Sequence, residues 1–111
     1  MKEHRAIILP AAWNDLDSIN EYISQNDPIM ADHTIDMIIE SIQRLETFPF
    51  SAPLVSFTKL SEKGYRVLRC EKYLCFYRIT DKKVLVYHII HGARDYPVLL
   101  KRLISEKDAD E

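Results

Sequence analysis

Four arginines, Arg66, Arg69, Arg78 and Arg94, stand among Tyr65, Tyr73, Tyr87 and Tyr96 in the second half of the chain. Guanidinium groups hold phosphate oxygens and tyrosine rings stack on bases, so this combination could grip a nucleic acid or another anionic partner. Alternation along extended backbone puts Arg66 on one face with Leu68 and Cys70. By the same rule Arg69 shares the other face with Tyr65 and Val67, and Arg78 goes with Leu74 and Phe76. The rings suit a half-buried core position with a wet hydroxyl equally well. Other chemistries are poorly served. His88 and His91 are three apart in a strand and point to opposite faces, and His4 and His33 fall in other elements, so no metal site is expected. Cys70 and Cys75 straddle a hairpin without CxxC spacing and read as buried small hydrophobes. The two glycines, Gly64 and Gly92, cannot make a phosphate-cradling loop, which excludes NTPase and dinucleotide chemistry. No cofactor is expected.

The elements that must position these side chains follow from periodicity. Arg5 to Leu9 reads as a short strand closed by Pro10. From Ala11, the residues Ala12, Leu16, Ile19 and Ile23 form one stripe of an amphipathic helix. Ser24 to Asp27 breaks it, and Asp27 can cap a second helix with Pro28 at its first position. That helix carries Ala31, Ile35, Ile38, Ile42 and Leu45 on one stripe and stops at Phe48-Pro49. Residues 49–63 read as a loop with a brief strand at Leu54–Phe57, and Gly64 marks a turn. Strands then follow at Tyr65–Cys70, Tyr73–Ile79 and Val84–His91, joined by a tight Glu71-Lys72 hairpin and a Thr80–Lys83 turn. Glu-Lys is a poor hairpin dipeptide, so register there is left open. Tyr96-Pro97 starts a short helix with Leu99, Leu100, Leu103 and Ile104 inward. The result is an α+β fold: an N-terminal strand, an antiparallel two-helix hairpin packed on a mainly antiparallel sheet of about four strands, and a short C-terminal helix.

At 111 residues, 47% hydrophobic and 29% charged, the chain is long enough for one domain with a packed core. That domain is expected to span residues 1–104, with 105–111 an acidic, frayed tail. No apolar run approaches a membrane span, and the N-terminal apolar stretch is too short for a secretory signal, so a cytoplasmic location is expected. Two cysteines fit a reducing compartment. Charge is unevenly spread. Residues 1–58 carry three Lys/Arg against nine acids, a balance of −6, while residues 59–104 carry eleven against four, a balance of +7. A basic half suits an anionic partner.

The ordered set AIILPAAWNDLDSI, the helix hairpin, the FP…P loop and GYRVLRCEKYLCFYRITDKKVLVYHIIHGARDY resembles the RelE/ParE superfamily of type II toxin–antitoxin toxins, over roughly residues 5–104. The resemblance implies a small growth-arresting toxin neutralised by a cognate antitoxin, with operator DNA bound only through the toxin–antitoxin complex. RelE-like toxins cleave mRNA in the ribosomal A site, using Arg and Lys to stabilise phosphate charge and a C-terminal tyrosine or histidine as acid or base. ParE-like toxins inhibit DNA gyrase. On the RelE pattern the catalytic set here is Arg66 and Arg94 with Tyr96 or His91. The arginine that pattern has early in the penultimate strand is Leu74, and its C-terminal tyrosine is Leu100. LRCEKYLCFYRI followed by IIHGARDYPVLL looks closer to ParE, for which Arg94, Asp95, Arg69 and Arg78 are the expected target-binding residues. A degenerate member that only binds its antitoxin is the remaining alternative.

Overall fold

The computed structural model describes residues 3–92 and Asp95. Strand β1 is Arg5–Ile8, followed by helices α1, Pro10–Ser24, and α2, Pro28–Arg44. A short helix α3, Thr58–Glu62, precedes strands β2, Arg66–Cys70, β3, Tyr73–Thr80, and β4, Lys83–His91. The expected C-terminal helix and the acidic tail lie outside the described residues.

The two long helices start where the sequence allows. Pro10 and Pro28 each occupy the first turn, where a missing N–H costs nothing. Asp27 caps α2, its Oδ1 accepting from Met30 N at 3.0 Å. The helix ends earlier than the proline signal suggests. After Arg44, Leu45 N, Glu46 N and Thr47 N donate to carbonyls three residues back, and this tighter winding closes α2 before Pro49 is reached. Leu45 still joins the core, as its place on the stripe requires.

The four-stranded sheet runs β1-β4-β3-β2, with β1 parallel to β4 and the other neighbours antiparallel. Cys70 pairs with Tyr73 across a two-residue turn, for which Glu71 takes φ 55°. At the other hairpin Asp81 and Lys82 both take positive φ, the backbone that joins twisted strands most tightly. Gly64, at φ 88°, makes the turn into β2. Between Phe76–His88 and Tyr77–Val86 the register shifts, leaving Tyr87 as an extra residue in β4.

Both faces of the sheet are covered. Leu16, Ile38 and Ile42 from the helices pack against Cys75, Tyr77, Val84, Val86 and Ile89. Each such side chain contributes about 1.5–3 kcal/mol on full burial. On the opposite face Val55, Leu60, Tyr65, Phe76 and Ile90 make a second, smaller core. Leu60 is fully buried and belongs to α3, where the sequence pattern predicts loop. The expected strand at Leu54–Phe57 reduces to a single bridge, Leu54 to Arg66.

Candidate functional site

The basic residues divide between the two faces of the sheet, as alternation requires. Arg69 is opposite Leu74, which puts it on the face of the second core with Arg78, four residues further along β3. Arg69 is exposed. Arg78 lies over two rings, with its guanidinium carbon 5.4 Å from the Tyr65 centroid and 5.9 Å from that of Tyr87. The rings themselves meet edge to face at 5.3 Å. This is a cationic side chain held on an aromatic platform.

Arg66 faces the other way, opposite Tyr77. Its Nη1 donates to Ala52 O at 2.7 Å and its guanidinium lies 5.0 Å over the Phe50 ring. Tyr77 is fully buried, and its hydroxyl donates to Pro49 O at 2.7 Å. Burial pushes the Tyr77 phenol above its usual value. Arg66 and Tyr77 therefore pin the loop from Pro49 to Ala52 onto the sheet.

His91 is at the far end of β4, opposite Tyr73, whose ring it meets edge to face at 5.7 Å. Its Nδ1 is buried, with no hydrogen-bond partner among the described residues. Four residues of β3 separate the Tyr77 and Tyr73 pairings, roughly 13 Å of strand. Arg66 and His91 also stand on opposite sides of β3, another two strand spacings, about 10 Å apart. The fold does not bring their backbones together. Arg94 and Tyr96 lie outside the described residues. Asp95 lines a groove of about 620 Å³, together with His91, Tyr73, Asp15, Tyr22 and Met30.

The groove lies at the end of β4 that β1 does not reach. The pairing of β1 covers β4 only from Lys83 to Val86. Beyond it α1 takes over: Asp15 Oδ2 accepts from Ile89 N at 2.9 Å and lies 3.4 Å from His88 Nδ1. Asp15 carried no signal in the sequence, since one acid on an amphipathic helix is indistinguishable from a solvated one. Among the described residues no group of three His, Cys, Asp or Glu side chains could hold a metal ion.

With this geometry in hand the likeness to known proteins is clear. The family model of the ParE toxin of the type II toxin–antitoxin system parDE matches residues 6–96. The chain belongs to the ParE toxin family. Solved structures agree at the level of fold. The chromosomal ParDE toxin–antitoxin system from P. aeruginosa superposes with a TM-score of 0.67 at 19% identity, covering 80% of this chain and 96% of that one. The RelBE2 toxin–antitoxin complex from Mycobacterium tuberculosis gives 0.60 at 17% identity, covering 80% and 98%. No curated protein sequence matches. For this ParE-family chain, α1, α2 and the sheet order thus follow a shared architecture. No helix among the described residues is long and apolar enough to cross a membrane.

One further feature of this ParE-family chain is half visible in the sequence. Cys70 and Cys75 flank the Glu71-Lys72 turn, and both are buried. Pairing of Cys70 with Tyr73 puts Cys75 on the same face, and the two sulfurs are 3.7 Å apart. Hairpin parity would have found this proximity; CxxC spacing could not.

Proposed function

We propose that this ParE-family toxin, when free of an antitoxin, arrests growth by inhibiting DNA gyrase. The observation that carries this reading is the engagement of Arg66. An arginine recruited to a transferring phosphate needs donors directed at the substrate. Arg66 instead donates to Ala52 O and stacks on Phe50, within the protein's own loop. His91, the other RelE-type candidate among the described residues, is distant from it along and across the sheet. Leu74 and Leu100, where the RelE pattern has arginine and tyrosine, add to the argument. The residues assigned to the gyrase contact are Arg69 and Arg78 on the outer face, with Arg94 and Asp95 after β4.

A cognate antitoxin is the proposed partner. Both solved relatives are toxin–antitoxin assemblies. This chain also leaves Tyr22, Ile29, Phe48 and Phe50 between 63% and 70% exposed. Large apolar side chains left in water on several elements are the kind of surface that a partner chain covers.

Pulse incorporation of labelled thymidine and methionine, minutes after the gene is induced alone, tests the target. DNA synthesis should fall first, and the purified toxin should block gyrase supercoiling. If protein synthesis falls first and ribosome-bound mRNA is cut, the toxin is a ribosome-dependent endonuclease instead. If neither falls, the chain is a degenerate member that only binds its antitoxin.

A further inference from the structure

The paired cysteines have a geometry that toxin action does not use. Cys70 ends β2 and Cys75 is the third residue of β3, so they are diagonal neighbours on the helix-facing side of one hairpin. Their sulfurs are in contact at 3.7 Å, and Arg44 and Ser41, from the last turn of α2, reach the Cys70 side. Arg44 Nη2 itself donates to Ser41 Oγ at 3.1 Å, which ties the cation to this corner. The thiolate is the nucleophilic form of cysteine, and a neighbouring cation and hydrogen-bond donors favour it.

We propose that Cys70 and Cys75 are a dithiol modification site, oxidised by a hydroperoxide to an intrachain disulfide that links β2 to β3. The Cys70 thiolate attacks one oxygen of hydrogen peroxide. The O–O bond breaks, and the departing hydroxide takes a proton from solvent to leave as water. Cys70 is then a sulfenic acid. The Cys75 sulfur attacks the Cys70 sulfur, the S–O bond breaks, and the hydroxide released takes up the Cys75 proton as a second water. Two thiols and one peroxide thus give one disulfide and two waters. Closing the bond brings the sulfurs from contact to about 2.05 Å.

The acid–base character of the pair fits the order of events. The hydrogen bond from Cys75, then Ser41 and the Arg44 charge, bring Cys70 down to about 7, against burial and the Glu71 carboxylate. Cys75 is pushed the other way, first by its contact with the Cys70 sulfur and then by burial. Cys70 is the attacking thiol and Cys75 the resolving one. A soft metal ion is less well served, since no third ligand of the His, Cys, Asp or Glu type joins the pair among the described residues. Both side chains are buried, so the oxidant enters when the hairpin opens. Strand β2 is at the sheet edge, and its backbone links outside β3, Leu54 to Arg66 and Val67 N to Pro53 O, are at the end away from Cys70. The two-residue turn to Tyr73 closes the Cys70 end, so the opening that admits the oxidant is a local one, in which the turn lifts from the Ser41–Arg44 corner of α2.

The test treats the purified full chain, first reduced, with hydrogen peroxide and follows it by intact mass and by maleimide labelling after denaturation. The expected product has lost two hydrogen masses, takes no maleimide, and recovers two reactive thiols with dithiothreitol. The Cys75→Ser variant should stop at a dimedone-reactive sulfenic acid on Cys70. The Cys70→Ser variant should give no dimedone adduct. Two thiols that remain alkylatable, oxygen added without a disulfide, or a disulfide formed between two chains would each overturn the proposal. The wild-type masses decide the matter by themselves if either variant fails to fold.

Discussion

At the scale of single residues, the most informative hydrogen bond is that from Tyr77 to Pro49 O. The donor is buried in the core and the acceptor belongs to a loop 28 residues away. Tyr77→Phe keeps the ring packing and leaves that carbonyl without its partner, which costs about 1–3 kcal/mol. A lower urea midpoint with an unchanged slope is the expected result. The Cys70 titration makes a second prediction. Near pH 7 the folded chain releases a proton that the unfolded thiol keeps until about 9, so stability should rise with pH between those values. Above 9 the raised Cys75 reverses the sign, because the unfolded chain then releases a proton that the folded one retains. Thermal melts from pH 6 to 10 check both limbs, and Cys70→Ser should flatten the rising one. Arg66 shows what a sequence can say at this scale and what it cannot. Its charge and its face were legible from alternation, but its engagement was not, because Phe50 and Ala52 reach it through a loop whose path has no periodicity.

Elements were legible in proportion to their length. Helices α1 and α2 each bury a stripe several turns long, and Asp27 and Pro28 announce the start of α2. Helix α3 is five residues with one buried side chain, too short for any period to register. The bulge at Tyr87 was equally hidden, since it depends on how two strands meet and not on either alone. Besides its core packing, α1 holds β4 through Asp15, and Asp15→Ala should raise hydrogen exchange at the Ile89 amide far more than at amides paired within the sheet. Equal protection in wild type and variant would mean that the contact contributes nothing. The Asp81-Lys82 turn makes the opposite kind of prediction. Lys82 takes φ 61°, which glycine adopts without strain, so Lys82→Gly should stabilise the hairpin or leave it unchanged within about 1 kcal/mol. Chemical denaturation of the two proteins decides the sign.

For the whole molecule, the expected behaviour is that of a protein built to be held by another. Expression of the gene alone should stop growth and give little soluble chain, and co-expression with its antitoxin should restore both, measured as colony counts and soluble yield. Wild-type yield and growth without the partner would contradict the exposed apolar surface of the helices and the Phe48–Phe50 loop. The broad architecture was legible because two helical stripes and three apolar strands admit few arrangements. The two tight turns made β2, β3 and β4 successive neighbours, but the place of β1 was not legible, and it has a consequence for how the protein is made. Strand β1 leaves the ribosome ahead of the helical hairpin, yet its neighbour in the sheet is β4, the last strand among the described residues. Chains emerge at about 5–20 residues per second, so β1 and the helical hairpin wait several seconds with their apolar faces uncovered. The sheet cannot close before β4 has emerged. The order of synthesis therefore leaves an interval in which a partner already present can bind the uncovered apolar faces.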